Sequence, residues 1–245
     1  MTDYPQLRRV GLSGVLVTFA AAMDDTANCA TLAFRAAVDA QDWPEVTETS
    51  MSLVSVFIVA DLVEHPAAKL SEKLEDLLAS RDWYGAPLPE GRTLWHVPTV
   101  YGGALAPQLE EAAEAAGMDV DEAINQLSSA RVRVLTIGFA PGQPYLGQLS
   151  EQWNIPRQQG LTKSVPQGAL VVAIRQLVIF TNATPTGWRH VGQTAFQTFD
   201  QTSDTPFALS PGDELVFPSV SETELDNIRK KSAQSYGGAE REVIS

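Results

Sequence analysis

From Arg131 onward the chain runs as short, β-rich apolar stretches cut by glycine and proline. These stretches are 131-RVRVLTI-137, 169-ALVVAI-174, 176-QLVIFT-181 and 214-ELVF-217. Each has the length of one strand, and the segments between them read as Gly/Pro turns rather than crossover helices. Parallel sheets need such crossovers, whereas antiparallel barrels do not. The second part of the chain is therefore read as a closed, mainly β barrel.

The first part has a different texture. The segment 8-RRVGLSGVLVTFA-20 reads as one bent strand or as a hairpin broken by Gly11 and Gly14. A helix follows over 24–41, capped by Asp24 or Asp25, with Ala30, Ala33, Phe34, Ala37 and Val38 on one face. Residues 46–62 read as two strands joined by a polar turn. A second helix runs from Pro66 to about Ser80, with Leu70, Leu74, Leu77 and Leu78 inward. All these apolar stripes are read as core. The stretch 85-GAPLPEGR-92 holds two prolines and two glycines and reads as a linker.

The expected organisation is an N-terminal α+β domain over 1–90, a β-barrel domain over 91–220 and a polar tail over 221–245. The barrel domain opens with a strand at 92–100. Two short helices follow at 104–130, with Gly117 closing the first and Asp119 capping the second. In the tail, a short helix and then a frayed end are expected.

Composition narrows function by exclusion. Net charge is −13 with 17 Lys and Arg against 30 Asp and Glu, so nucleic acid is not an expected partner. The apolar run 51-MSLVSVFIVADLV-63 is interrupted by Ser52, Ser55 and Asp61, far from the ~20 apolar residues of a membrane span. The first residues lack the apolar stretch of a secretory signal. The single cysteine, Cys29, allows no internal disulfide, and a cytoplasmic location is expected. Its phase with Ala33 makes it a small core residue rather than a nucleophile.

The three histidines, His65, His96 and His190, share no paired spacing, so no metal is expected. No G-x-S-x-G elbow, phosphate-binding P-loop or dinucleotide fingerprint occurs.

Three glycine-bearing loops remain: 138-GFAPGQPYLG-147, 165-VPQGA-169 and 184-TPTGWRHVGQT-194. They have two readings. They are barrel corners, or they converge at a barrel mouth. In the second case Phe139, Tyr145 and Trp188 would line a wall, and Arg157, Lys163 or Arg189 would hold an anion.

These loops also carry a resemblance. In order, the chain shows GF-x-PG-x-PYLG (from Gly138), PR (Pro156, Arg157), VP-x-G (Val165, Pro166, Gly168) and P-x-GW with G-x-T (Pro185, Gly187, Trp188, Gly192, Thr194). Phe199-Asp200 and Pro211-Gly212-Asp213 with Phe217 complete the series. The series resembles the family of allophanate hydrolase subunit 1, the small subunit of prokaryotic 5-oxoprolinase and the Kip-type kinase inhibitors. The segment 97-VPTVYGG-103 looks like that family's strand into the barrel. The resemblance is strongest from about 95 to 217.

The resemblance implies a small two-layer α+β domain followed by a cyclophilin-like β barrel. It implies a larger, related carboxyltransferase-type subunit as partner, and a small amide or urea-like substrate. ATP would be used by the complex rather than bound by this chain alone. Arg157 and Lys163 become candidate catalytic residues, and Phe139, Gly142, Gln143, Tyr145, Trp188, Gln193 and Thr194 candidate substrate-binding residues. An alternative is a non-catalytic module that inhibits a sensor histidine kinase.

The chain departs from the family pattern at several places. Gln143 stands where Phe or a similar residue is usual, Lys163 in place of an arginine, Thr186 in place of glycine and Gln193 in place of arginine. The segment 171-VVAIRQLVIF-180 lacks the usual glycine-rich turn. Lysine loses the bidentate fork of arginine, and glutamine loses the charge.

Overall fold

A computed structural model describes residues 4–62, 65–231 and 236–244. The chain forms two compact units, residues 1–90 and 91–245.

The first unit is a four-stranded antiparallel sheet with two helices. Strands β1 (Gln6–Val10) and β2 (Gly14–Thr18) form a hairpin, which settles the 8–20 segment in favour of two strands. Strands β3 (Val46–Met51) and β4 (Ser55–Ala60) complete the sheet in the order β1-β2-β4-β3. Period-two alternation puts Val15, Val17, Val56 and Ile58 on one buried face. Helix α1 (Asp25–Asp39) packs Ala30, Phe34 and Val38 into the same core, and α2 (Ala67–Ala79) adds Leu70 and Leu74. The Asp24 carboxylate accepts from the Ala27 N–H at 2.9 Å and caps α1. Cys29, expected inside, is only half-buried; the helix turns it toward the edge of the apolar stripe.

The second unit is built on a nine-stranded sheet. Its strands are β5 (Arg92–His96), β6 (Thr99–Tyr101), β7 (Val132–Ile137), β8 (Pro144–Gly147), β10 (Ala169–Ala173), β11 (Gln176–Ile179), β13 (Arg189–Thr194), β14 (Glu214–Val216) and β15 (Glu240–Ile244). Strands β9 (Thr162–Val165) and β12 (Thr184–Thr186) pair separately with each other. The order is β15-β5-β14-β7-β8-β11-β10-β13-β6.

The sheet curls because β5 and β6 are one strand bent at Val97-Pro98. Its first half pairs with β14, and its second half pairs with β13. At the bend the Val97 N–H donates to the Val216 carbonyl and the Thr99 N–H to the Pro218 carbonyl. The same strand thus borders both sides of the ladder.

The barrel interior is filled. Trp95, Val134, Leu146, Leu170, Val172, Leu177, Ile179, Val191, Leu215 and Phe217 meet there. Helices α3 (Leu109–Ala115) and α4 (Val120–Ser129) add Leu109, Ala112 and Leu127 to the same core. On the opposite face of β10 and β11, Ala169, Val171, Ala173, Val178 and Phe180 form a second cluster with Val165 and Trp188. Both faces of these strands are buried, which explains their unbroken apolar sequence.

Three readings change here. The segments 138–147 and 184–194 are not only loops: the first ends in β8, and the second opens with β12 and ends in β13. A four-residue apolar run beside prolines gives little strand signal on its own. The missing glycine turn between β10 and β11 is made by Ile174 and Arg175, both in the left-handed region at φ 45° and 61°. That conformation costs non-glycine residues about 1–3 kcal/mol each. Hydrogen bonds hold it: the Arg175 N–H donates to the Trp153 carbonyl and its Nε to the Leu149 carbonyl, both at 2.9 Å.

In the polar tail the expected short helix forms, while residues 240–244 make a strand where a frayed end is expected. Helix α5 (Glu222–Lys231) forms, and β15 adds to β5 with Arg241 5.4 Å from the Trp95 ring. Strand pairing supplies the hydrogen bonds that a polar sequence gives no hint of.

Candidate functional site

A cleft of about 320 Å³ opens over the outer cluster of the barrel. Its wall is aromatic. Trp188 is 6% exposed, and its ring lies 6.2 Å from Tyr145 at 75°, an edge-to-face pair. Phe180 lies behind them. The β8 alternation sends Leu146 into the barrel and Tyr145 outward to the cleft.

Arg157 supplies the cation. Its guanidinium carbon stands 5.3 Å from the Trp188 ring centroid, and no carboxylate of the described residues pairs with it. Its backbone is fixed from below. Arg189 donates from Nη1 to the Pro156 carbonyl at 2.7 Å and from Nε to Glu111 at 2.9 Å. The next residue, Gln158, donates from its N–H to the Gly187 carbonyl and from Nε2 to the Trp188 carbonyl, at 2.7 and 2.9 Å. Gln108 donates to the Gln158 carboxamide oxygen at 2.8 Å and accepts from the His190 N–H at 2.9 Å. Arg189 is thus committed to structure, and Arg157 is the cation left facing the cleft.

The loop 138–143 forms the remaining side. Gly142 sits at φ 70°, where a Cβ would meet Phe199 at 2.8 Å. Phe139 is 77% exposed and holds a left-handed backbone at φ 73°. An aromatic residue in that region marks stored strain of about 1–3 kcal/mol. Leu161, 72% exposed, stands on the cleft as well. Gln143 is 1% exposed, lines the cleft, and leaves its Oε1 without a hydrogen-bond partner. An unpaired buried acceptor costs about 1–3 kcal/mol.

The nine candidate residues therefore separate. Phe139, Gln143, Tyr145, Arg157 and Trp188 meet at this cleft, and Gly142 shapes its loop. Gln193 and Thr194 do not. Gln193 donates from Nε2 to the carbonyls of Gln167 and Thr194 at 2.9 Å, and the Thr194 hydroxyl donates to the Gly168 carbonyl at 3.1 Å. Their side chains tie β13 to the turn before β10. Lys163 lies exposed on β9 and does not line the cleft.

His190 is buried beside Gln193, and desolvation holds its imidazole below the usual histidine range. Pro185 and Thr186, from the P-x-GW segment, also line the cleft, and Gln158, Leu161 and Phe180 line it without any sequence motif marking them for it. Gln158 follows Arg157 directly, but the signal that marks it is its bond to Gln108, fifty residues away, and no local pattern shows that.

No helix among the described residues is long and apolar enough to cross a membrane. No cluster of three His, Cys, Asp or Glu side chains among them could hold a metal ion.

Comparison with known proteins follows the same lines. The chain is similar to a 5-oxoprolinase subunit of Bacillus subtilis, 27% identical over 239 residues, covering 95% of this chain and all of that protein. The Escherichia coli O157:H7 protein of the same name is 32% identical over 176 residues, covering 72% of this chain and 79% of the relative. Among solved structures, the urea carboxylase of Kluyveromyces lactis shares the fold at TM-score 0.71 and 19% identity. It covers 97% of this chain, which spans only 24% of its length. A Pyrococcus horikoshii protein, PH0987, matches at TM-score 0.51 and 25% identity, covering 89% and 99% of the two chains. The model of the carboxyltransferase domain, subdomain C and D, matches residues 5–209, and the chain belongs to that family.

Proposed function

We propose that this chain is the small subunit of a heteromeric, ATP-dependent amide hydrolase of the 5-oxoprolinase or allophanate hydrolase type. It would act with a larger carboxyltransferase-type subunit on a small amide or urea-like substrate. One observation carries the reading: side chains from three separate loops, Phe139/Gln143/Tyr145, Arg157 and Trp188, converge on one cleft with one unpaired guanidinium. The names of the relatives, subunits of 5-oxoprolinase, point the same way.

In this reading Arg157 holds a carboxylate or stabilises the oxyanion that develops when the amide is attacked. Tyr145 and Trp188 provide a flat apolar wall for a small planar ligand. An exposed guanidinium is weakened by water, so a partner subunit that covers the cleft would strengthen its pull. Among the described residues Arg157 is the one cation lining the cleft, too little for a triphosphate, so no ATP step is assigned to this chain. Lys163, exposed on β9, is a candidate only for a site that the larger subunit completes.

The test is to co-purify the chain with its larger subunit and measure ATP hydrolysis with 5-oxoproline, allophanate and urea in turn. Stimulation by one of them is expected. A folded complex that responds to none overturns the reading. The exposed Phe139 and Leu161 favour the second reading, a regulatory docking module. Kinase autophosphorylation unchanged by excess of this chain would dispose of that alternative.

A further inference from the structure

Resting on the reading of this cleft as an amide site, we propose that Gln143 is its specificity residue. It selects small anionic ligands that present an amide or ureide N–H, over isosteres without one. Four observations converge on it. Gln143 lines the cleft yet is almost wholly buried. Its Oε1 has no partner, and among the described residues it alone of the buried side-chain atoms in that condition belongs to a residue lining this cleft. Its backbone is fixed in the turn, with the Gln143 N–H donating to the Ala140 carbonyl at 3.1 Å and the Gly138 N–H donating to the Gln143 carbonyl at 3.0 Å. Arg157 and the Trp188 face stand on the same cleft.

A carboxamide oxygen that is buried and unmatched accepts a donor, and the terminal torsion of glutamine is soft enough to turn it toward one. Arg157 favours a negative charge. The aromatic wall favours a flat body between the two. The ligand class that satisfies all three is a small planar amide or urea carrying a carboxylate. A ring oxygen in place of the N–H would set two acceptors against each other and leave the Gln143 oxygen unpaired. Sites built on such a pairing discriminate strongly against the analogue that lacks the donor.

The experiment uses the full chain together with its larger subunit, and two probes of equal shape. One is 5-oxoproline, the other its lactone isostere with ring oxygen in place of N–H. Calorimetric titration should show the lactam binding at least about tenfold tighter, equal to about 1.4 kcal/mol. In Gln143→Met the preference should fall to within about threefold while the lactone still binds. Arg157→Ala should weaken both probes alike and leave the preference intact. Equal affinity of the unaltered protein for both probes overturns the proposal without any variant. So does a lactam preference that survives in Gln143→Met with an unchanged melting temperature. Both results leave the cleft as an anion site. If neither probe binds the unaltered complex, the amide reading and the proposal fall together.

Discussion

Two corners of the barrel carry the same kind of sequence, glycine and proline around polar and aromatic residues, and end in opposite states. At the Gly168 corner the donors expected to bind ligand are consumed, and although Gln193 Oε1 is left unmatched there, Gln193 does not line the cleft. Gln193 donates to two carbonyls and Thr194 to a third. At the Phe139–Gln143 corner the polar groups stay unspent. Gln143 Oε1 is unpaired, and Arg157 faces the cleft. The lesson is that residue type and spacing mark a barrel corner, while spent donors at one corner and unmatched groups lining a cleft at the other separate a joint from a site.

Substitutions at the two corners put that contrast to the test. The largest effect is expected from Trp188→Ala, which empties the outer cluster and the cleft wall together. It should cost about 3–5 kcal/mol in denaturant unfolding. Gly168→Ala comes next. Gly168 holds φ 78°, and an added Cβ would lie 2.5 Å from the Thr194 carbonyl oxygen. A loss of about 3 kcal/mol is expected; an unchanged denaturation midpoint would show that the joint is softer than its geometry.

The two arginines give the sharper comparison. Arg189→Ala should cost about 2 kcal/mol, since it strips the Pro156 carbonyl and Glu111 of their donor. Arg157→Ala should stay within about 0.5 kcal/mol in stability and lower activity at least about tenfold. Strong destabilisation by Arg157→Ala with ligand affinity intact would reverse their roles.

The smallest effect is in pH. Burial lowers the His190 pKa below its ordinary 6.5. The unfolded chain then takes up the proton first. Stability from this group is present above about pH 6.5 and is lost as pH falls below it toward the folded pKa, by at most about 1.4 kcal/mol per pH unit. His190→Asn should flatten that slope, as followed by melting temperature between about pH 7.5 and 5.5.

How far the sequence reaches depends on what sets each feature. Helices α1 and α2 were legible because Asp24, Pro66 and the leucine stripe act locally. Strands β10 and β11 were legible because burial on both faces leaves no polar break. The pairs β9–β12 and β5–β15 were not legible, because their partners lie far away in the chain and nothing in TKSV or EREVI names them. Within the site, glycines and aromatics of the loops announced the cleft. Whether Gln193 would face a ligand or a carbonyl depended on the β10–β13 register, which shifts between Leu170 and Val171. No local pattern encodes that shift.

The bent strand and its pairing with β15 have one more consequence. Ile244 is the register partner of Arg92, so the path of the chain enters and leaves the barrel unit side by side. A unit whose ends nearly touch behaves as an insert. It can be carried within a longer polypeptide, or permuted by joining those ends with a short linker, at little cost in loop closure. The terminal strand thus works as a clasp that lets the barrel travel as a self-contained cassette.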